Sequence, residues 1–153
     1  MPRFTPIAVH PTLAKATDVN GYSDAGATLK NAFHSHGRKL LSALAAALGD
    51  TLGEFTIRSN RAGIAVSGEV TLHSDHLYVQ MSESCMQRGL SLLYRSCSSQ
   101  KDCCGNQNHF VSLAAFGDDD RQQQILNDMA ELIDTEISRK KNAALARAAA
   151  KTA

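Results

Sequence analysis

Residues 69–81 read EVTLHSDHLYVQM and carry the clearest strand pattern in the chain. Apolar side chains occupy every second position on both sides of Ser74-Asp75, which is the pattern of strands with one buried face. Ser74-Asp75 is turn chemistry, so the stretch predicts a hairpin with a two-residue loop. That loop places Leu72 opposite Leu77, Val70 opposite Val79 and Gly68 opposite Met81. All the apolar side chains then share one face, an arrangement that a slip of one residue would destroy.

The period of two continues on both sides of this hairpin. It predicts five strands in an antiparallel meander that is buried on one face. We expect the strands over residues 54–58, 64–72, 77–81, 89–97 and 110–116. In the fourth strand, Leu90, Leu92 and Tyr94 fall on one side.

Helical periodicity flanks the strands. Leu29, Phe33, Leu40 and Leu44 recur at a spacing typical of an amphipathic helix, which we expect over residues 25–48. Ser23 or Asp24 can cap this helix, and Gly49 follows its last apolar residue. A second helix begins at residues 118–120, where three aspartates suit the positive end of the helix dipole. The sum is an α+β two-layer sandwich: an N-terminal helix, a five-stranded antiparallel meander and a long C-terminal helix, with the helices on one sheet face.

The sequence divides into three regions. Residues 1–23 hold all three prolines and lack periodicity, so we expect an extended or flexible arm. Residues 24–137 form a single α+β domain, and residues 138–153 form a basic, alanine-rich helical tail. Because aromatic residues are only 5% of the chain and Trp is absent, the core must be mainly aliphatic.

Composition excludes several classes of protein. The formal net charge is +1, so no global field recruits nucleic acid or a membrane. No apolar run approaches the length that spans a bilayer, and the N-terminus lacks the apolar core of a secretory signal. We therefore expect a cytoplasmic protein with reduced thiols and no cofactor.

Residues 95–109 read RSCSSQKDCCGNQNH and predict a long polar hairpin tip. The meander leaves its second face exposed, and we expect Thr71, His73, His76, Tyr78, Gln80, Ser91, Arg95 and Cys97 there. A partner protein could sit on that face and on the tip. The candidate contacts are Tyr78, Arg95, Lys101, Asp102, Asn106, Asn108 and His109.

Three other chemistries compete for the same residues. Cys97, Cys103, Cys104 and His109 have the side chains that zinc prefers, although their C-x5-C-C-x4-H spacing differs from the paired ligands of structural zinc sites. A triad of Cys103 or Cys104 with His109 and Asp102 can also be drawn, but all would lie on one loop without a rigid scaffold. The hairpin register would place His73 and His76 face to face as a cross-strand pair. We expect none of the three to form an enzyme site.

The tail supports a different function. It carries five cations and no acidic residue after position 138: Arg139, Lys140, Lys141, Arg147 and Lys151. On a helix these side chains could contact phosphates without sequence preference. Nucleic-acid binding through the tail is therefore the alternative to protein binding, and zinc binding at residues 97–109 is a second alternative.

The runs HLYVQMSES, GLSLLYRSC and KDCCGNQNHFVSL within residues 76–116 resemble short, uncharacterised proteins carried on plasmids, integrative elements and phages of proteobacteria. In those proteins a similar Leu-Tyr-Arg-Ser strand leads to a loop with a Lys-Asp pair and glycine that ends in asparagine. Cys103-Cys104-Gly105-Asn106 stands where the resemblance leads us to expect an aromatic residue or threonine and two glycines. The resemblance implies an accessory protein of a mobile element that acts by binding a host protein or complex. Inhibition of a defence system is one such action.

Overall fold

The computed structural model describes residues 3–14, 23–62, 68–83 and 89–152. The chain forms four helices, one 3₁₀ turn and five strands within these ranges. In chain order they are α1 (Pro11–Ala14), α2 (Asp24–Leu48), the 3₁₀ turn (Gly49–Leu52), β1 (Phe55–Asn60), β2 (Glu69–Ser74), β3 (Leu77–Glu83), β4 (Leu90–Ser96), β5 (His109–Ser112), α3 (Leu113–Phe116) and α4 (Asp119–Thr152).

The strands form one antiparallel sheet in the order β1-β2-β3-β4-β5, which confirms the predicted meander. Helix α2 packs on β1 and β2, and helix α4 packs on β3 and β4. Their apolar sides meet the same face of the sheet, so the α+β two-layer architecture is confirmed. None of the described helices is long and apolar enough to cross a membrane.

The register of the β2–β3 hairpin differs from the prediction. Leu72 pairs with Val79 and Val70 pairs with Met81, because the chain bends at Asp75 and His76 rather than at residues 74–75. Each predicted partner is displaced by two residues along β3. A shift of two preserves the side on which every side chain lies. The predicted face is therefore confirmed although the predicted pairs are wrong.

Ser74 explains the position of the turn. Its side chain is fully buried on the apolar face, where an unpaired hydroxyl would be costly. The hydroxyl donates to the carbonyl of Leu77 at 2.8 Å and accepts from the amides of Leu77 at 2.8 Å and His76 at 3.2 Å. These three hydrogen bonds close the hairpin from inside and keep Ser74 in the strand.

The N-terminal helix follows the prediction closely. The Ser23 hydroxyl accepts from the amide of Gly26, as an N-cap should, and the helix ends at Leu48. Gly49 has a φ of 74°, which favours glycine and turns the chain toward β1. Phe33, Leu41 and Leu44 are fully buried on the face toward the sheet.

The fifth strand is shorter than predicted. Residues 113–116 form the helical turn α3, whereas the sequence predicted a strand to residue 116. The Ser112 hydroxyl accepts from the amide of Ala115 and starts the turn. The turn buries both Leu113 and Phe116 beside the helices, which an extended chain would send to opposite faces.

Residues 3–10 lie along α4 without regular secondary structure. The buried amide of Gln122 accepts from the N–H of Ile7 at 2.9 Å and donates to its carbonyl at 2.8 Å. Gln123 makes the same pair of hydrogen bonds to Phe4. Ile7 and Leu13 are buried in the core. Residues 15–22 of the predicted arm, residues 64–67 of the predicted second strand and much of the β3–β4 connection lie outside the described residues.

Helix α4 has two different halves. Ile125, Met129 and Ile133 are buried against the sheet, and Glu136 is the last buried residue. The remaining turns to Thr152 project beyond the core, and Leu145 there is 59% exposed. At 1.5 Å per residue, the helix is about 50 Å long.

Candidate functional site: the open sheet face and the long loop

One face of the sheet has no helix on it among the described residues. We call it the open face. Cross-strand pairing places these side chains on it in rows: Thr56, Arg58, Glu69, Thr71, His73, Tyr78, Gln80, Ser82, Ser91, Leu93, Arg95, Phe110 and Ser112. The expectation that Thr71, His73, Tyr78, Gln80, Ser91 and Arg95 share this face agrees with the observed pairing, but Ser91 is buried rather than exposed.

Residues 97–108, the long loop, fold back over one end of the open face. This changes the exposure that the sequence suggested, because Arg95 is only 9% exposed and Cys97 is fully buried. The prediction that both are exposed is therefore wrong. The reason is tertiary: a loop of this length can cover the last row of side chains, and an alternating pattern carries no information about that.

Arg95 is the residue on which the loop rests. Its guanidinium lies 4.2 Å from the centre of the Tyr78 ring, an arrangement that gives a cation–π contact. Its Nη2 donates to the carbonyl of Cys103 at 2.9 Å, and its Nη1 is 3.4 Å from Oδ1 of Asn108. A Cβ on Gly105 would overlap Nε of Arg95, so the loop packs this closely only because residue 105 is glycine.

Asp102 organises the loop from within. Its carboxylate accepts from the amides of Ser98 at 2.9 Å, Cys104 at 3.2 Å and Gly105 at 2.8 Å, and from the Ser98 hydroxyl. These hydrogen bonds, led by the Ser98 amide, lower the pKa of Asp102 to about 2. A carboxylate used in this way positions backbone and is occupied, so it cannot serve as the base of a triad.

Two further residues attach the loop to the sheet. The Asn106 side chain donates to the hydroxyl of Ser96 at 2.7 Å, and the backbone N–H of Asn106 donates to the carbonyl of Ser96. Gln100 donates to Asp75 at 3.2 Å and accepts from the Thr56 hydroxyl at 3.2 Å. The loop is thus tied to β1, to the β2–β3 turn and to β4.

Beyond the loop, the open face holds a line of polar side chains on β3. The Tyr78 hydroxyl donates to Gln80 at 2.8 Å, and Gln80 donates to Ser82 at 3.1 Å. Burial is the main cause of a raised pKa for Tyr78, so this hydroxyl stays a neutral donor. On the neighbouring strands, Leu93 pairs with Phe110, whose side chain is 62% exposed. The face therefore combines fixed hydrogen bonds with an uncovered aromatic ring.

The predicted partner contacts fall into three groups. Lys101, Asn106 and Asn108 are exposed on the long loop. Tyr78, Arg95 and Asp102 are half-buried or buried and hold the loop in place. His109 lies on the other side of the sheet, because it pairs with Tyr94 of the helix-covered face.

His109 belongs to a separate cleft at the β5 edge. Its ring stacks on Tyr94 with centroids 5.2 Å apart, and the Tyr94 hydroxyl donates to Asp128 of α4 at 2.6 Å. Arg121 and Gln124 also line this opening of about 410 Å³. Burial is the main cause of a raised pKa for Tyr94, which makes its hydroxyl a donor rather than a base.

The proposed zinc ligands do not converge. The Cys97 thiol is buried and points at the carbonyl of Ser74, 3.3 Å away, and burial raises its pKa to about 11. Cys103 and Cys104 are exposed on the loop, and His109 faces the opposite side of the sheet. Within the ranges that the structure describes, no group of three or more His, Cys, Asp or Glu side chains could hold a metal ion.

The predicted pairing of His73 with His76 across the hairpin is also wrong. His73 pairs with Tyr78, and their rings meet edge to face at 5.0 Å. His76 lies in the turn, where its Nδ1 is 2.8 Å from Nζ of Lys140. The cause is the two-residue shift in register, which replaces His76 by Tyr78 opposite His73.

The sequence interpretation missed Phe110. A signal was present, because an antiparallel partner of the Leu90-Leu92-Tyr94 face must carry its own apolar side chains at alternate positions. Once His109 pairs with Tyr94, residue 110 points to the open face.

No family model, curated protein or solved structure that we compared with this chain matches it.

Proposed function

We propose that this protein is a non-enzymatic binding protein whose open face and long loop contact a partner protein. The exposed ring of Phe110 beside Leu93 is the observation that carries the proposal. Aromatic side chains are enriched in protein interfaces, and a buried aromatic anchor often dominates their binding energy. On this reading Phe110 is the anchor of the contact.

The polar residues around Phe110 suit the same role. Tyr78, Gln80 and Ser82 are already hydrogen-bonded to one another, so binding does not have to order them. Lys101 and Asn106 on the long loop supply exposed polar groups at one rim of the face. On the resemblance described above, the partner is a host protein or complex in the cytoplasm, and binding inhibits a defence system.

The test uses two exposed apolar residues of nearly equal exposure. Phe110→Ser removes the anchor from the open face, whereas Leu145→Ser makes a matched change on the projecting half of α4. The tagged chain and both variants are used to capture protein from a proteobacterial lysate, and retained proteins are quantified by mass spectrometry. The candidate partner is then purified and its dissociation constant measured with each chain.

We expect one partner to lose affinity by about tenfold or more with Phe110→Ser and to keep its affinity with Leu145→Ser. Lys101→Ala should have a smaller effect, because rim charges contribute little. Equal binding by the wild type and Phe110→Ser would refute the open face as the contact. Arg95→Ala is unsuitable as a surface variant, since Arg95 is buried beneath the loop.

Nucleic-acid binding is the second candidate, and the projecting half of α4 favours it. Lys141, Arg147 and Lys151 are exposed there. Two of the five cations are already used: Arg139 pairs with Glu136, and Lys140 donates to the carbonyl of Asp75. These three exposed cations would give weak, salt-sensitive binding to random duplex that disappears on truncation after Ser138. Duplex binding that is independent of salt or of the tail would exclude this function.

A further inference from the structure

Cys103 and Cys104 are adjacent, and both side chains are exposed on the long loop. Neither candidate function uses them. Exposed thiols can reach a soluble oxidant, whereas Cys97 is buried and its Sγ contacts the carbonyl of Ser74. The chain therefore contains a pair of accessible thiols, and the inaccessible thiol of Cys97 serves as an internal control.

The peptide group that joins Cys103 to Cys104 is held on both sides. Its carbonyl accepts from Nη2 of Arg95 at 2.9 Å, and its N–H donates to Oδ1 of Asp102 at 3.2 Å. Both partners matter to the loop, because Arg95 joins it to the open face and Asp102 also holds Ser98 and Gly105. The two thiols thus flank the peptide that fixes the loop.

A disulfide between neighbouring residues strains this peptide. Consecutive Cα atoms lie about 3.8 Å apart across a trans peptide, whereas disulfide-linked Cα atoms are usually about 4.4–6.8 Å apart. Closing the ring therefore requires the peptide to rotate or distort. Such a movement draws the Cys103 carbonyl away from Arg95 and the Cys104 N–H away from Asp102.

We propose that Cys103 and Cys104 form a redox modification site, at which a disulfide of the glutathione class oxidises the pair to a vicinal disulfide and releases the loop from Arg95. The thiolate of one cysteine attacks the oxidant and displaces one glutathione thiolate, which leaves a mixed disulfide. The neighbouring thiolate attacks the cysteine sulfur of that bond and displaces the second glutathione. Two electrons pass to the oxidant, and the two released glutathiones take up the two thiol protons.

The hydrogen bonds of the loop also oppose the oxidation. Because Arg95 and Asp102 bind the undistorted peptide, they stabilise the dithiol relative to the disulfide. The equilibrium with glutathione then measures how firmly the loop is held. If the open face is the partner surface, as proposed above, oxidation weakens partner binding through the same loop; the chemical step does not depend on that function.

The experiment uses the full chain carrying Cys85→Ser, since Cys85 lies outside the described residues and could form other disulfides. The protein is equilibrated with mixtures of reduced and oxidised glutathione. Intact mass and peptide mapping then report the vicinal disulfide as a loss of two hydrogen atoms within the peptide that contains residues 103–104. Hydrogen exchange of the reduced and oxidised proteins reports the backbone of the loop.

We expect the disulfide to join Cys103 to Cys104 and to leave Cys97 a free thiol. In the oxidised protein the amides of Cys104 and Gly105 should exchange at least about tenfold faster, the equivalent of losing one hydrogen bond to a charged group. The amides of β2 and β3 should be unchanged. Cys103→Ser and Cys104→Ser should each abolish the internal disulfide, and Arg95→Lys should increase the oxidised fraction at a given glutathione ratio.

Two outcomes would overturn the inference. One is that the pair forms only mixed or intermolecular disulfides with glutathione or a second chain. The other is that the vicinal disulfide forms while exchange in the loop stays the same. The exchange comparison needs no substitution at Arg95, so a folding defect in that variant does not affect it. If the loop opens and partner affinity does not change, the redox site stands and the long loop is excluded from the partner surface.

Discussion

The two faces of the sheet are built from the same strands but are held by different interactions. The covered face buries a continuous set of aliphatic side chains under α2 and α4, and Leu72, Leu77 and Val79 are fully buried there. The open face depends at one end on a single loop, organised by Arg95 and Asp102 through hydrogen bonds. The covered face therefore supplies the core that the fold requires, whereas the loop determines the surface that the open face presents.

The largest expected effect separates two phenylalanines. Phe116 is fully buried beside the covered face, and Phe110 is 62% exposed on the open face. Phe116→Ala should lower the free energy of unfolding by about 3–5 kcal/mol, because it leaves a cavity in the core. Phe110→Ala should lower it by less than about 1 kcal/mol. Urea denaturation of both variants tests this, and similar losses would contradict the proposed division of the two faces.

A smaller effect separates two glycines with positive φ. Gly105 has a φ of 59° and faces Arg95, whereas Gly49 has a φ of 74° with no atom near its absent Cβ. Gly49→Ala should cost about 1–2 kcal/mol from backbone strain alone. Gly105→Ala adds a clash with the buried guanidinium and should cost about 1 kcal/mol more. Thermal unfolding compares the two, and hydrogen exchange should show loop opening in Gly105→Ala only.

Acid should act on His34 and Asp102 in separate pH ranges. His34 of α2 is 2% exposed, and burial followed by nearby cations such as Arg61 lowers its pKa from 6.5 to about 4. In this range His34 binds a proton in the unfolded chain but not in the folded chain, so stability falls as the pH drops from about 6.5 to 4. Asp102 has a pKa lowered from 3.8 to about 2, so its contribution is lost between about pH 3.8 and 2.

Two variants test which residue causes the pH dependence in each range. His34→Gln should reduce the pH dependence of the unfolding free energy between about pH 6.5 and 4, and Asp102→Asn should reduce it below about pH 4. Urea denaturation across the pH series measures both slopes. An unchanged upper slope in His34→Gln would show that this imidazole binds its proton equally well in the folded and the unfolded chain. An unchanged lower slope in Asp102→Asn would show that the loop amides do not stabilise the carboxylate.

The smallest effect concerns neighbouring lysines where α4 leaves the sheet. Lys140 donates to the carbonyl of Asp75 at 2.8 Å, whereas Lys141 is exposed. Lys140→Met should cost about 0.5–1 kcal/mol, and Lys141→Met should change stability by less than about 0.5 kcal/mol. Differential scanning calorimetry at low salt can resolve the difference. Equal melting temperatures would mean that Lys140 does not tie the helix to the β2–β3 turn.

Particular elements show how far the sequence can be interpreted. Helix α2 follows from local signals, because its cap, apolar spacing and terminal glycine are close together in the chain. The meander and its buried face follow from alternation. The hairpin pairs do not, since a shift of two residues leaves the apolar pattern unchanged and the hydrogen bonds of the buried Ser74 hydroxyl favour the observed bend. Strand β5 was overextended because burial of Leu113 and Phe116 by α3 depends on distant elements.

The candidate site was only partly predictable. Lys101, Asn106 and Asn108 were expected on an exposed loop, and they are exposed. The burial of Arg95 was not foreseeable, because it requires Gly105, ten residues away, to close over the guanidinium. His109 was misplaced for a related reason: its face is fixed by pairing with Tyr94 and not by the loop that precedes it.

Periodicity was enough to predict which side chains lie on each side of β2, β3 and β4 and where the two long helices lie, because these properties repeat every two or about 3.6 residues and need only neighbouring positions. Contacts in the folded chain set where the hairpin turns, where β5 gives way to α3, which polar groups the long loop buries and how the two cysteines are placed around the peptide that Arg95 binds. Those features depend on contacts between residues that are distant in the chain, and a local sequence pattern carries no information about such contacts.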